Sequence, residues 1–145
     1  MSSYVSAELR RLVIARANGL CEYCLIHEAD TWLGCQIDHV ISEKHGGPTT
    51  AENLAYACVF CNRSKGTDLG SIAESSGNYV RFFNPRSDRW SEHLCIRGAR
   101  IEPLTETGEV TVQILDLNSA ERLLEREALL AIGRFPSREA AARLK

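Results

Sequence analysis

The chain has 145 residues, 44% hydrophobic and 25% charged, with a formal net charge of −2 and a pI near 6.1. That composition suits one soluble globular domain, residues 1–145, and excludes a disordered polyelectrolyte or a chain built on apolar membrane spans. The near-neutral balance also excludes a protein that coats nucleic acid through bulk positive charge, but not one that touches a few phosphates locally.

The opening residues, from Met1 to Val5, have neither a basic nor an apolar leader pattern. No signal peptide is expected, and the cytoplasm, where thiols stay reduced, is the expected location. A packing helix is expected over 5–18, with Val5, Leu9, Leu12 and Val13 on one face and Asn18-Gly19 as its stop. Cys21 to Cys24 reads as a knuckle. Gln36 to Ile41 alternates and reads as a strand, Glu43 to Glu52 as a loop around Gly46-Gly47-Pro48, and Leu54 to Ala57 as a second strand. Val59 to Lys65 has room for one or two helical turns, which completes a strand–loop–strand–helix order. Asp68 to Gly77 reads as an exposed connection, and Val80 to Pro85, Trp90 to Ile96 and Ala99 to Leu104 as strands. Gly108 to Leu117 has a β pattern, with Val110, Val112 and Ile114 on one face. Asn118 to Ile132 reads as a helix capped by Asn118 or Ser119 and running through Leu123, Leu124, Leu129 and Leu130, with Gly133 and Pro136 as its stop. Ser137 to Lys145 reads as a frayed last helix. The fold class is α+β: a ββα core after an N-terminal helix, then a β-strand and helix extension over 79–135.

Chemistry concentrates in four cysteines, Cys21, Cys24, Cys58 and Cys61, set as two Cys-x-x-Cys pairs. Two such turns present four soft ligands to a tetrahedral zinc ion, and neither pair has the βαβ surroundings of a redox motif. A structural zinc of this kind contributes on the order of 10 kcal/mol to folding. His27 and Cys35 are alternative ligands by proximity, while Cys35 and Cys95 otherwise read as buried small hydrophobes. The stretch between the pairs is longer than a simple ribbon and contains Asp38-His39, a hard carboxylate beside an imidazole. Phosphodiester hydrolysis needs a base to activate water and a cation at the phosphate. Neighbouring strand residues face opposite ways, so a bulge or twist is needed for both to reach one site.

The order Cys21-x-x-Cys24, Ile37-Asp38-His39-Val40-Ile41-Ser42, Gly46-Gly47, Glu52-Asn53-Leu54, Cys58-x-x-Cys61-Asn62-x-x-Lys65-Gly66 resembles the HNH endonucleases, of the His-Me (ββα-metal) finger fold. The core so identified spans 18–67. The resemblance implies a DNA endonuclease, a phosphodiester hydrolase with structural zinc and a catalytic magnesium or manganese ion. It implies His39 as general base and Asn53 as the amide that holds His39 in place. It implies Asp38 and Asn62 as ligands of the catalytic cation, and Lys65 and Arg63 near phosphates. His45, in the loop beside the two glycines, is a further candidate phosphate contact. Arg81, Arg86, Arg89, Arg97 and Arg100 are candidates for DNA contact or solvated surface. The competing reading is a zinc-stabilised DNA-binding module without catalysis. No membrane partner is expected, and both a monomer and a homodimer are compatible with the sequence.

Overall fold

A computed structural model describes residues 4–145. Its α+β architecture comprises five helices and three two-stranded antiparallel sheets among those residues. Helix α1 (Ala7–Ala17) starts on Ser6, whose hydroxyl accepts from Leu9 N–H at 3.1 Å, and ends at Asn18 in the left-handed conformation. Its inner face is Leu9, Val13, Ile14 and Ala17, packed on Leu54 and Tyr56. Leu12, expected on that face, points outward and is 46% exposed.

Strands β1 (Cys35–His39) and β2 (Leu54–Cys58) pair antiparallel, with Cys35 opposite Cys58 and His39 opposite Leu54. Every residue of β2 is buried, because α1 covers one part of it and the knuckle the other. Helix α2 (Val59–Lys65) follows without a linker, so the ββα order holds. The loop between the strands contains two short 3₁₀ turns, Glu43–His45 and Ala51–Asn53.

The segment after α2 is more ordered than its composition suggests. Residues expected to form an exposed connection contain β3 (Gly70–Ile72), paired with β4 (Tyr79–Arg81). Trp90 to Ile96 begins as a helical turn, α3 (Trp90–His93), before β5 (Leu94–Arg97) pairs with β6 (Arg100–Pro103).

The β pattern at 108–117 is overturned: these residues lie mainly in helix α4 (Glu106–Ile114). Thr105 caps it by accepting from Gly108 N–H at 3.1 Å, and Glu106 and Glu109 occupy its first turn, where the helix dipole favours acids. A Cβ at Gly108 would lie 2.0 Å from the His93 carbonyl oxygen, so the glycine marks close approach of α4 to α3. Tertiary packing decides here over β-branched propensity.

Helix α5 (Ala120–Ala131) is present as expected, but its inner face is not the leucine stripe. Leu124 and Leu130 are exposed, and the buried residues are Arg122 and Arg126. Arg126 bonds the carbonyls of Ala99 and Leu117. Asn118 is not the cap; its amide exchanges two hydrogen bonds with the backbone of Ile101. The last turn, Arg138–Arg143, is 3₁₀ and anchored, with Ala140 buried and Arg143 donating to Glu22 and to the Arg16 carbonyl. One apolar cluster runs from Leu20 and Tyr23 through Phe83 and Trp90 to Leu117 and Ala140, so knuckle and extension share a core. Among the described residues, no helix is long and apolar enough to cross a membrane.

Candidate active site

The site is built on the four cysteines. Their sulfurs all lie within 4.8 Å of one another, and all four residues are buried. Cys24 and Cys58 Sγ are 3.8 Å apart; a tetrahedron with Zn–S bonds of about 2.3 Å has edges of about that length. The set therefore suits a closed, structural zinc ion. Neither His27 nor Cys35 belongs to it. His27 Nδ1 accepts from Ala29 N–H and caps its own turn, and Cys35 is half-buried opposite Cys58.

Two charged groups of opposite sign, neither singled out by the sequence, fasten this knot. Arg122, on α5, donates to Cys61 Sγ at 3.1 Å and to Cys58 Sγ at 3.6 Å, with its guanidinium 5.7 Å from the Phe60 ring centroid. Burial works against its charge, but the sulfurs of Cys61, Cys24 and Cys58 hold it strongly positive. A cation here offsets the negative charge of a four-thiolate site, as partners behind metal ligands do. On the other side, Glu22, inside the first knuckle, is fully buried. It accepts from Tyr56 N–H at 3.0 Å and pairs with Arg86 and with Arg143. Arg86 is thus committed to the core rather than available to DNA. Arg81 is likewise clamped by both oxygens of Asp88, although its side chain stays half-exposed. The carboxylate and thiolate partners of Arg86, Arg122 and Arg143 lie 61 or more positions away in the chain, which is why the roles of these three were not legible.

Asp38 and His39 close β1, and α2 brings Asn62 to the same opening. Together with Ile37, Ser42, Glu43, Lys44 and Thr67 they line an open cleft of about 550 Å³. Strand β1 ends at His39, a bend follows at Val40, and Asp38 and His39 both line the cleft. Asp38 is 6% exposed, and its contacts with Lys65 Nζ at 3.1 Å and the Tyr23 hydroxyl at 3.3 Å both use Oδ2. Burial pushes its carboxyl up and Lys65 opposes that shift. The Asn62 amide donates to Gln36 Oε1 at 2.7 Å, which leaves its Oδ1 as the acceptor end. His39 Nε2 lies 2.9 Å from Thr49 Oγ1 and 3.7 Å from a Glu43 carboxylate oxygen.

Asn53 ties the loop. Its Oδ1 accepts from Ile41 N–H, and its Nδ2 donates to the carbonyls of Ile41 and Pro48, each at 2.9 Å. Gly47 lies inside this ring: a Cβ there would fall 1.7 Å from the Ile41 oxygen, so no other residue fits without moving the backbone.

Lys65 requires a correction. Expected beside a phosphate, it is 2% exposed and lies beneath the site, bonded to Asp38 and to the His39 carbonyl oxygen at 2.9 Å. Arg63 and His45 are exposed, and neither lines the cleft. Replacing Lys65 with methionine leaves Asp38 as a buried anion without its cation, at a cost of about 3 kcal/mol. The loss depends on pH. A carboxyl whose folded value lies above its unfolded one stabilises the fold below the unfolded value, and that contribution is lost as pH rises through the folded value. Without Lys65 the Asp38 carboxyl is pushed up further. Lys65→Met should therefore lower the urea midpoint of the zinc-loaded protein more at pH 8 than at pH 5.5. Adding Asp38→Asn should abolish that difference; a pH-independent deficit in Lys65→Met would contradict the pairing.

The HNH endonuclease family model matches residues 21–68. No curated protein matches the chain. The matched segment begins at the first zinc-type cysteine, ends just past α2 and contains the cleft. Residues 21–68 thus carry the match to the HNH endonuclease family, and their four cysteines, positioned to bind a metal, are consistent with its zinc-stabilised subtype.

Proposed function

We propose that the chain is a divalent-cation-dependent DNA endonuclease acting in the cytoplasm, with residues 18–67 as its nuclease core. The observation that supports this reading best is the convergence of Asp38, His39 and Asn62 on one cleft. Pure binding needs no such trio. His39 takes a proton from water as the water oxygen attacks phosphorus; the bond to the 3′ oxygen breaks, that oxygen is protonated from solvent, and a 5′-phosphate and a 3′-hydroxyl result.

Asp38 Oδ1 and Asn62 Oδ1 are hard oxygen donors, and two such ligands suit magnesium or manganese, which keep their remaining positions for water and phosphate. When bound, the cation supplies charge stabilisation at the phosphate and leaving oxygen. Asn53 positions His39 by closing the loop beside it, and Lys65 fixes the Asp38 carboxylate. Arg63 and His45 are placed at the surface to meet backbone phosphates flanking the cleft.

The test is nicking of supercoiled plasmid by zinc-loaded protein with magnesium or manganese. The wild type should convert plasmid to the open circle, and His39→Ala should slow this by about 100-fold or more while zinc content stays unchanged. A wild-type protein that binds DNA yet nicks it with none of the divalent cations tried would instead make the chain a DNA-binding module.

A further inference from the structure

Neutral imidazole has one N–H and one lone pair, so a histidine base works through whichever nitrogen its surroundings leave unprotonated. The surroundings of His39 are specific. Nε2 lies 2.9 Å from the Thr49 hydroxyl oxygen and 3.7 Å from a carboxylate oxygen of Glu43. A hydroxyl serves as donor or acceptor, but an ionised carboxylate only accepts. If Nε2 carried the lone pair, two electron-rich atoms would face each other across that 3.7 Å gap. If Nε2 carries the proton, it donates to the Thr49 hydroxyl oxygen and turns the positive end of its N–H dipole toward the Glu43 carboxylate.

Resting on the reading of His39 as the base, we propose that Thr49 and Glu43 are positioning residues that hold His39 in the Nε2–H tautomer, making Nδ1 the atom that takes the proton from water. The loop is shaped to deliver Thr49 to this place. Asn53 Nδ2 grips the Pro48 carbonyl, one residue before Thr49. Gly47 allows the loop to pass against the Ile41 carbonyl. Glu43 opens the 3₁₀ turn that Gly46 ends in the left-handed conformation, φ 83°. Asn53 thus reaches the imidazole through Thr49. The same arrangement gives the imidazole an anionic neighbour on the Nε2 side when Nδ1 is protonated during the reaction, in the manner of a carboxylate behind a histidine base.

The proposal is tested first without activity. Long-range ¹H–¹⁵N correlation spectra of zinc-loaded protein with ¹⁵N-labelled histidine show which ring nitrogen is protonated, and the His39 signals are those lost in His39→Gln. The expected spectrum has a protonated Nε2 and an unprotonated Nδ1 for His39. The reverse tautomer would overturn the proposal whether or not the protein cleaves DNA. In Thr49→Val the two tautomers should mix, kcat for plasmid nicking should fall by about ten-fold or more with KM little changed, and Thr49→Ser should restore both spectrum and rate. A Thr49→Val protein with an unaltered tautomer and full kcat would also refute it. A wild type with the expected tautomer but no cleavage would leave the tautomer assignment standing and remove the nuclease reading instead.

Discussion

Cys58→Ser is expected to abolish the folded state, whereas His39→Ala should keep the zinc content and melting temperature of the wild type. The difference follows from what each side chain holds. A four-cysteine zinc contributes on the order of 10 kcal/mol at neutral pH, and a domain of this size has only about 5–15 kcal/mol in total. Cys58 does more than offer one ligand. Its Sγ accepts from Cys61 N–H at 3.4 Å and so caps α2, and it lies 3.6 Å from Arg122. Serine removes the soft thiolate and leaves the buried Arg122 guanidinium facing a weakened anion. His39, by contrast, is at the end of its strand, and its imidazole contacts Thr49 and Glu43 rather than the core. Metal analysis and circular-dichroism melts of both variants decide the matter, and a chelator should convert the wild type to the state of Cys58→Ser. Equal loss of fold in the two variants would contradict the separation between frame and site.

The zinc knot, the ββα order and the cleft residues were legible because each depends on short-range spacing. Cys-x-x-Cys and Asp38-His39 fix their own local geometry, and the family pattern orders them and Asn62. What was illegible depends on partners far away in the chain. Lys65 reads as a phosphate contact until its burial against Asp38 is seen, since nothing in Asn-Arg-Ser-Lys marks the lysine as inward-facing. Arg122 and Arg126 break the polar-out rule on α5 because the buried partners, the cysteine sulfurs and the Ala99 and Leu117 carbonyls, lie outside any helical window. At 108–117 the alternation of Val110, Val112 and Ile114 fits a strand as well as a helix. The Thr105 cap and the tight seat of Gly108 against α3 resolve that ambiguity.

Glu22→Ala should be the most damaging change outside the zinc ligands, at about 3–5 kcal/mol. Glu22 gives nothing to the metal, yet it is the point where three distant parts of the chain meet. One oxygen satisfies the Tyr56 amide of β2, and the other serves Arg86 and Arg143. Burial pushes its carboxyl up; the Tyr56 N–H and Arg143 work against that shift. Removing the carboxylate strands two largely buried guanidinium groups, and Arg86 Nε and Nη1 already lack protein partners, so no alternative acceptor is at hand. The damage should appear first as faster hydrogen exchange over residues 138–145, with zinc still bound. Glu22→Gln, which keeps an acceptor for Tyr56 but drops the charge, should fall between alanine and wild type. Converting the whole cluster to apolar residues, as Glu22→Leu with Arg86→Met and Arg143→Met, should recover much of the loss, because uncompensated burial and not the missing attraction is what destabilises. A Glu22→Ala protein as stable as the wild type would refute the cluster's role. If the triple variant were weaker than Glu22→Ala, the pairing itself, not relief of stranded charge, would be the source of the stability.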